Sequence, residues 1–236
     1  MSLLKRIGYD RAQVKIYLVL LSAPILLTIY RYRGGADRLA SWFPGLGVHP
    51  LSGVYSVLFQ WSSFFILALV IPLALSRIPP AYTLKEMGLQ WGDRRFGLIF
   101  TATALVVLII PSAFLAARMP DVRLEYPLAT AVTIRGDLLV VYEAAYVLVY
   151  YLAWEFFFRG FMLFPLARVF GGVNAILIQT IPSCLVHIGK PESEVTGSII
   201  AGIILGTLAL RTGSIWYGWI LHATLGVLVD LLVLFT

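Results

Sequence analysis

Apolar residues run in blocks along this chain, and polar residues gather in the short stretches between them. The blocks lie at 16–30, 54–75, 96–117, 138–166, 173–187, 195–210 and 215–235. A helix that crosses a lipid bilayer needs about 20 mostly apolar residues, with roughly 17 to 25 tolerated. The first and fifth blocks are short by that measure and the fourth is long. Lipid offers no partner to an unpaired backbone N–H or C=O, so each block predicts a helix. The pattern therefore predicts an all-α polytopic membrane bundle of seven to eight transmembrane helices. The eighth arises if the fourth block is a helix followed by an interfacial turn. Adjacent prolines, Pro79 and Pro80, end the second block, and the polar connection 77–95 has room for a short amphipathic surface helix.

Composition agrees with that class. Apolar residues make up 60% of the 236 and charged residues only 13%, about half of what a soluble domain carries. A net charge of +6 raises nucleic acid as a partner. The basic residues, however, are scattered through short connections, which suits anchoring to anionic headgroups and not nucleic-acid binding. Lys5, Arg6 and Arg11 precede the first block, but no small-residue cleavage site follows it, so it is expected to be a retained helix. Arg77, Lys85, Arg94 and Arg95 fall on the same side as that N-terminus. The bias predicts a cytoplasmic N-terminus in a multi-pass protein of the cell membrane. A single cysteine, Cys184, leaves no intrachain disulfide to form. One integral domain over 1–236 is expected, with 1–137 as packing helices and 138–236 carrying the chemistry.

That division comes from the ionisable residues. Each costs roughly 2.5 to 3.5 kcal/mol at the bilayer centre, yet Glu143, Glu155, Arg159, His187, His222 and Asp230 all fall in or beside the last four blocks. The first three blocks hold only Lys15, near an end where it can snorkel. Glu155 and Arg159, in WEFFFRG, are four residues apart and share a helical face about 6 Å apart along the axis. A structural ion pair and a catalytic one fit that spacing equally. His187 ends the fifth block and His222 sits inside the seventh, flanked at four-residue spacing by Gly218 and Gly226. One carboxylate and two imidazoles on three helices can activate a water or ligate a metal. The glycines around His222 would clear space for a substrate backbone, while Gly202 and Gly206 read as helix packing. Asp230 is expected at headgroup level, Glu143 on another face near the interface, and Glu192 and Glu194 in a solvated loop that can fold back over the site.

The order of WEFFFRG, SCLVH and HATLG on successive helices resembles the CAAX protease and bacteriocin-processing (CPBP, or Abi) family of intramembrane glutamate endopeptidases. The likeness covers roughly residues 138 to 230, including LALRTGSIWYGWILHA. Its pattern is E-E-x-x-x-R, then F-x-x-x-H, then H-x-x-x-N or a similar polar end. Glu155, Arg159, His187 and His222 match. Trp154 stands at the first glutamate, which the family uses to activate water; Ser183 and Gly226 replace the phenylalanine and the final polar residue.

The resemblance implies endoproteolysis of a membrane-associated protein or peptide without a metal. Glu155, paired with Arg159, would activate water in place of the missing glutamate, unless Glu194 or Asp230 reaches in, and the histidines would position the water and stabilise the oxyanion. Zinc on Glu155, His187 and His222 is the alternative cofactor reading. A non-catalytic scaffold of the same family and a small transporter are the rival functions; a transporter predicts interrupted helices repeated in both halves, and the sequence shows no repeat. For the two histidines to meet, the fifth helix must tilt or re-enter, with Pro182 as a place to bend.

Overall fold

A computed structural model of the protein describes residue 6 and residues 8–78, 82–133 and 136–236. Lys5, Pro79 and Pro80 lie outside them. Among the described residues the helices that matter are α1 (Arg11–Gly34), α2 (Ser52–Ser76), α3 (Arg94–Ala116), α4 (Gly136–Phe170), α5 (Gly172–Leu185), α6 (Glu192–Thr212) and α7 (Trp216–Phe235). Six are long and apolar enough to cross a membrane; α5 is the exception. The fourth apolar block is one continuous helix of 35 residues, about 52 Å long. Among the described residues that leaves six long apolar helices and one shorter one, and the protein is a multi-pass helical bundle.

The α4 helix is the axis of that bundle. In its most apolar window 67% of the residues are buried inside the protein, against 22% to 33% for the other long helices, whose outer faces are left for lipid. Aromatic rings fill the seam between α2 and α4. Trp61 stacks on Tyr146 with ring centroids 4.6 Å apart, and Phe64 stacks on Trp154 at 5.4 Å. Wide turns with i→i+5 hydrogen bonding interrupt α2 at Ile66–Val70, α3 at Leu105–Ile109 and α4 at Phe156–Met162. Pro72, Pro111 and Pro165 follow these turns. A proline has no N–H to donate and its ring pushes on the carbonyl four residues back, which loosens the turn before it.

The α5–α6 pair is close-packed through small residues. A Cβ at Gly202 would come within 2.7 Å of the Thr180 hydroxyl, and one at Gly206 within 3.1 Å of Gln179. The buried Gln179 amide donates across the same seam to the Gly202 carbonyl at 2.9 Å. At the end of the bundle where α3 begins, Asp93 caps that helix through the Phe96 N–H at 3.1 Å and pairs with Arg211 at 2.9 Å. The Gly88 carbonyl accepts from the Ile215 N–H at 3.0 Å.

The connection between α2 and α3 holds only a single turn, Lys85–Met87, instead of a surface helix. Gly88 ends it in the left-handed region, φ +77°, and Met87 is driven into the core beneath Gly160, where a Cβ would sit 3.0 Å from the Met87 carbonyl. Nor does Lys15 snorkel. It is buried, and its ammonium donates to the carbonyls of Ser76 and Ile78 at 3.0 Å each, satisfying orphan acceptors at the end of α2.

Candidate active site

The turn at Gly171, φ +78°, reverses the chain between α4 and α5. Glu155 lies sixteen residues before that glycine and His187 sixteen after it, so the antiparallel pair brings them to one level. With 14 residues, α5 is only about 21 Å long, short of the roughly 30 Å hydrocarbon core. It stops inside the bundle depth, as the meeting of two histidines requires. His222 reaches the same level from α7.

The α4 helix turns Glu155 and Arg159 inward, where both are fully buried at 0% and 1% exposure. Glu155 Oε1 accepts from His222 Nδ1 at 2.8 Å and pairs with Arg159 Nη1 at 3.4 Å. Glu155 Oε2 has no hydrogen-bond partner. It faces Gly218, where a Cβ would stand 3.0 Å away. At Gly226 a Cβ would overlap the Tyr151 hydroxyl. The glycines flanking His222 thus make room for two α4 side chains, and Gly226 also lines the cavity described below.

His187 Nδ1 sits 2.8 Å from the Ser183 carbonyl. An acceptor at each Nδ1 favours the proton there in both imidazoles and leaves each Nε2 for another partner. The Trp154 indole lies between the two rings, its centroid 4.9 Å from His187 and 6.0 Å from His222. Stacked on Phe64, it occupies the first-motif position as an apolar wall, its Nε1 unpartnered.

A cavity of about 460 Å³ opens beside these groups. Its polar end is lined by Trp154, Arg159, His187, Glu194 and His222, and its long apolar part by residues of α3, α6 and α7 such as Leu108, Ile204 and Leu225. Glu155 is absent from this lining; it stands behind His222. Glu194 is not in a solvated loop but in the first turn of α6, with Oε1 3.9 Å from His187 Nε2 and Oε2 accepting from the Tyr126 hydroxyl at 2.7 Å. The signal for this was present in GKPESE. A proline followed by acidic residues marks a helix start, where negative charge is favoured.

Asp230 is fully buried beside Tyr142 and Glu143 of α4. Among the described residues no three His, Cys, Asp or Glu side chains converge as a metal-binding group. A zinc ion shared by Glu155 and His222 would have to replace their 2.8 Å hydrogen bond, so the donor set fits a metal poorly.

Searches of curated proteins and of solved structures found no match. Residues 136–228, from the start of α4 to just past His222 on α7, match a family model described as type II CAAX prenyl endopeptidase Rce1-like. All four motif residues lie inside that segment, and the match supports the likeness of this part of the chain to the CAAX protease and bacteriocin-processing family of membrane proteases.

Proposed function

We propose that the protein is an intramembrane endopeptidase that hydrolyses a peptide bond of a membrane-associated protein or peptide in the cavity between α3, α4, α6 and α7. The observation that carries this reading is the meeting of both motif histidines and Arg159 at the polar end of one cavity, with Glu155 behind His222 and paired with Arg159. Its volume falls in the range of small-molecule and peptide-side-chain pockets, about 300 to 1,000 Å³.

Each residue has a chemical part in this reading. The Nε2 lone pairs of His187 and His222 accept from the hydrolytic water and from the N–H of the scissile amide. Arg159 lines the cavity with its Nε free of hydrogen-bond partners and its Nη1 in an ion pair with Glu155 at 3.4 Å, and its charge stabilises the oxyanion of the tetrahedral intermediate, the effect that usually contributes most. Glu155 is a positioning residue: it fixes the tautomer and plane of His222, as a buried carboxylate does behind a catalytic histidine. No step requires a metal. The protein acts in the cell membrane with its N-terminus in the cytoplasm, and its partners are substrate and lipid.

The test is cleavage of an internally quenched farnesyl-cysteine peptide by the purified protein in liposomes. His187→Ala and His222→Ala should each lower kcat by about 100-fold or more, the usual contribution of a positioned acid–base group. A non-catalytic scaffold would give no cleavage by wild type.

A further inference from the structure

The first motif offers no proton acceptor, because Trp154 occupies its position and Glu155 is sealed behind His222 with 0% exposure. A carboxylate nevertheless faces the cavity, from the opposite wall. The Glu194 side chain is 28% exposed and lines the cavity directly. The Tyr126 hydroxyl donates to its Oε2 at 2.7 Å, which orients the carboxylate and leaves Oε1 turned to His187 Nε2, 3.9 Å away. The nearby ammonium of Lys190 is engaged by Glu125. Two acceptors about 4 Å apart suit one water that donates a hydrogen to each, with both bonds near 2.8 Å, and that leaves its lone pairs pointing into the cavity.

We propose that Glu194 is the general base of the site, supplying from α6 the carboxylate that Trp154 denies to α4. The inference deepens the peptidase reading and rests on it. The water held by His187 Nε2 and Glu194 Oε1 attacks the scissile carbonyl carbon. As the new C–O bond forms, one water proton passes to Oε1 and the carbonyl π pair moves onto oxygen beside Arg159. Collapse restores the C=O and breaks the C–N bond. The proton on Glu194 passes to the leaving nitrogen, giving one carboxylic acid and one amine and returning Glu194 to carboxylate.

The experiment compares wild type, Glu194→Gln, His222→Ala and the double variant Glu194→Gln/Trp154→Glu on the same farnesyl-cysteine peptide in liposomes. Glutamine keeps the volume and the acceptor for Tyr126 but takes no proton. Glu194→Gln should lower kcat by about 100-fold or more with KM nearly unchanged. The double variant should recover at least about ten-fold of that loss, because a carboxylate at the first-motif position reaches the same water. This recovery also separates lost chemistry from lost folding. Glu194→Gln at the wild-type rate, with His222→Ala inactive, would overturn the assignment and leave the peptidase reading standing. A double variant as inactive as the single one would contradict it as well. No cleavage by wild type overturns the peptidase reading itself, and Glu194 as base falls with it.

Discussion

At the scale of single residues, the site depends on side chains that touch one another more than on any one acid. Glu155 acts through His222, so Glu155→Gln should lower kcat by about 100-fold, with Glu155→Asp recovering part of the loss and KM steady in both. A purely structural pair would change melting temperature and leave the kcat of the folded fraction intact. Gly218 is the tightest support of that pair. Gly218→Ala puts a methyl 3.0 Å from Glu155 Oε2, and overpacking of this kind costs about 1–3 kcal/mol. Its melting temperature and kcat should fall together. The i,i+4 spacing of Glu155 and Arg159 and the order of the two histidines were legible in the sequence, because helix periodicity alone puts the pair on one face. The roles of Gly218 and Gly226 were not, and Glu194 could be named only as one of two carboxylates able to reach the site. Their partners, Glu155, Tyr151 and His187, are supplied by other helices, and nothing in local spacing announces which helix faces which. The contacts of Asp230 were illegible for the same reason, since its neighbours Tyr142 and Glu143 come from α4.

At the scale of elements, the apolar blocks anticipated every long helix, since segment length against bilayer thickness is a one-dimensional constraint. Helix ends and connections were less legible. The connection 82–93 follows instead from Gly88, from Met87 in the core, and from its clip to the α6–α7 turn. Glu86 organises it. Hydrogen bonds from the Thr83 backbone and hydroxyl, followed by Arg168, hold its carboxyl down from 4.5 to about 2. A carboxyl depressed in the folded state contributes stability that is complete above its unfolded value and disappears as pH falls through about 2. The melting temperature of wild type should therefore drop between pH 5 and pH 2, and Glu86→Gln should remove that part of the slope. The α5–α6 seam makes a second test. Gly202→Val drives two methyl groups into Thr180, where a Cβ already meets its hydroxyl at 2.7 Å. It should lower the melting temperature and disable cleavage by moving His187 and Glu194 apart.

At the scale of the whole molecule, a helix buried on most sides carries the acid–arginine pair, a short antiparallel helix returns one histidine to the same depth, and a third helix brings the other. Buried Glu155, Arg159 and Asp230 all lie on α4 and α7, whereas the first three helices bury the ionisable Lys15 near one end of α1 and otherwise supply walls. The third helix also lines the cavity, through Phe100, Ala104 and Leu108, so the first half contributes to the substrate's apolar surroundings. Cleavage should be indifferent to chelators, since the proposed steps use only side chains of this chain; loss of activity in EDTA, restored by zinc, would speak for the metal alternative. In the proposed reaction water enters a peptide bond at the level of His222. The most direct measurement is mass spectrometry of the farnesyl-cysteine peptide incubated with the liposome-embedded protein in heavy-oxygen water. The account expects one heavy oxygen in the new carboxyl group of the cleaved peptide, and none formed by His222→Ala. An intact peptide, or heavy-oxygen product made equally fast without His222, would contradict it.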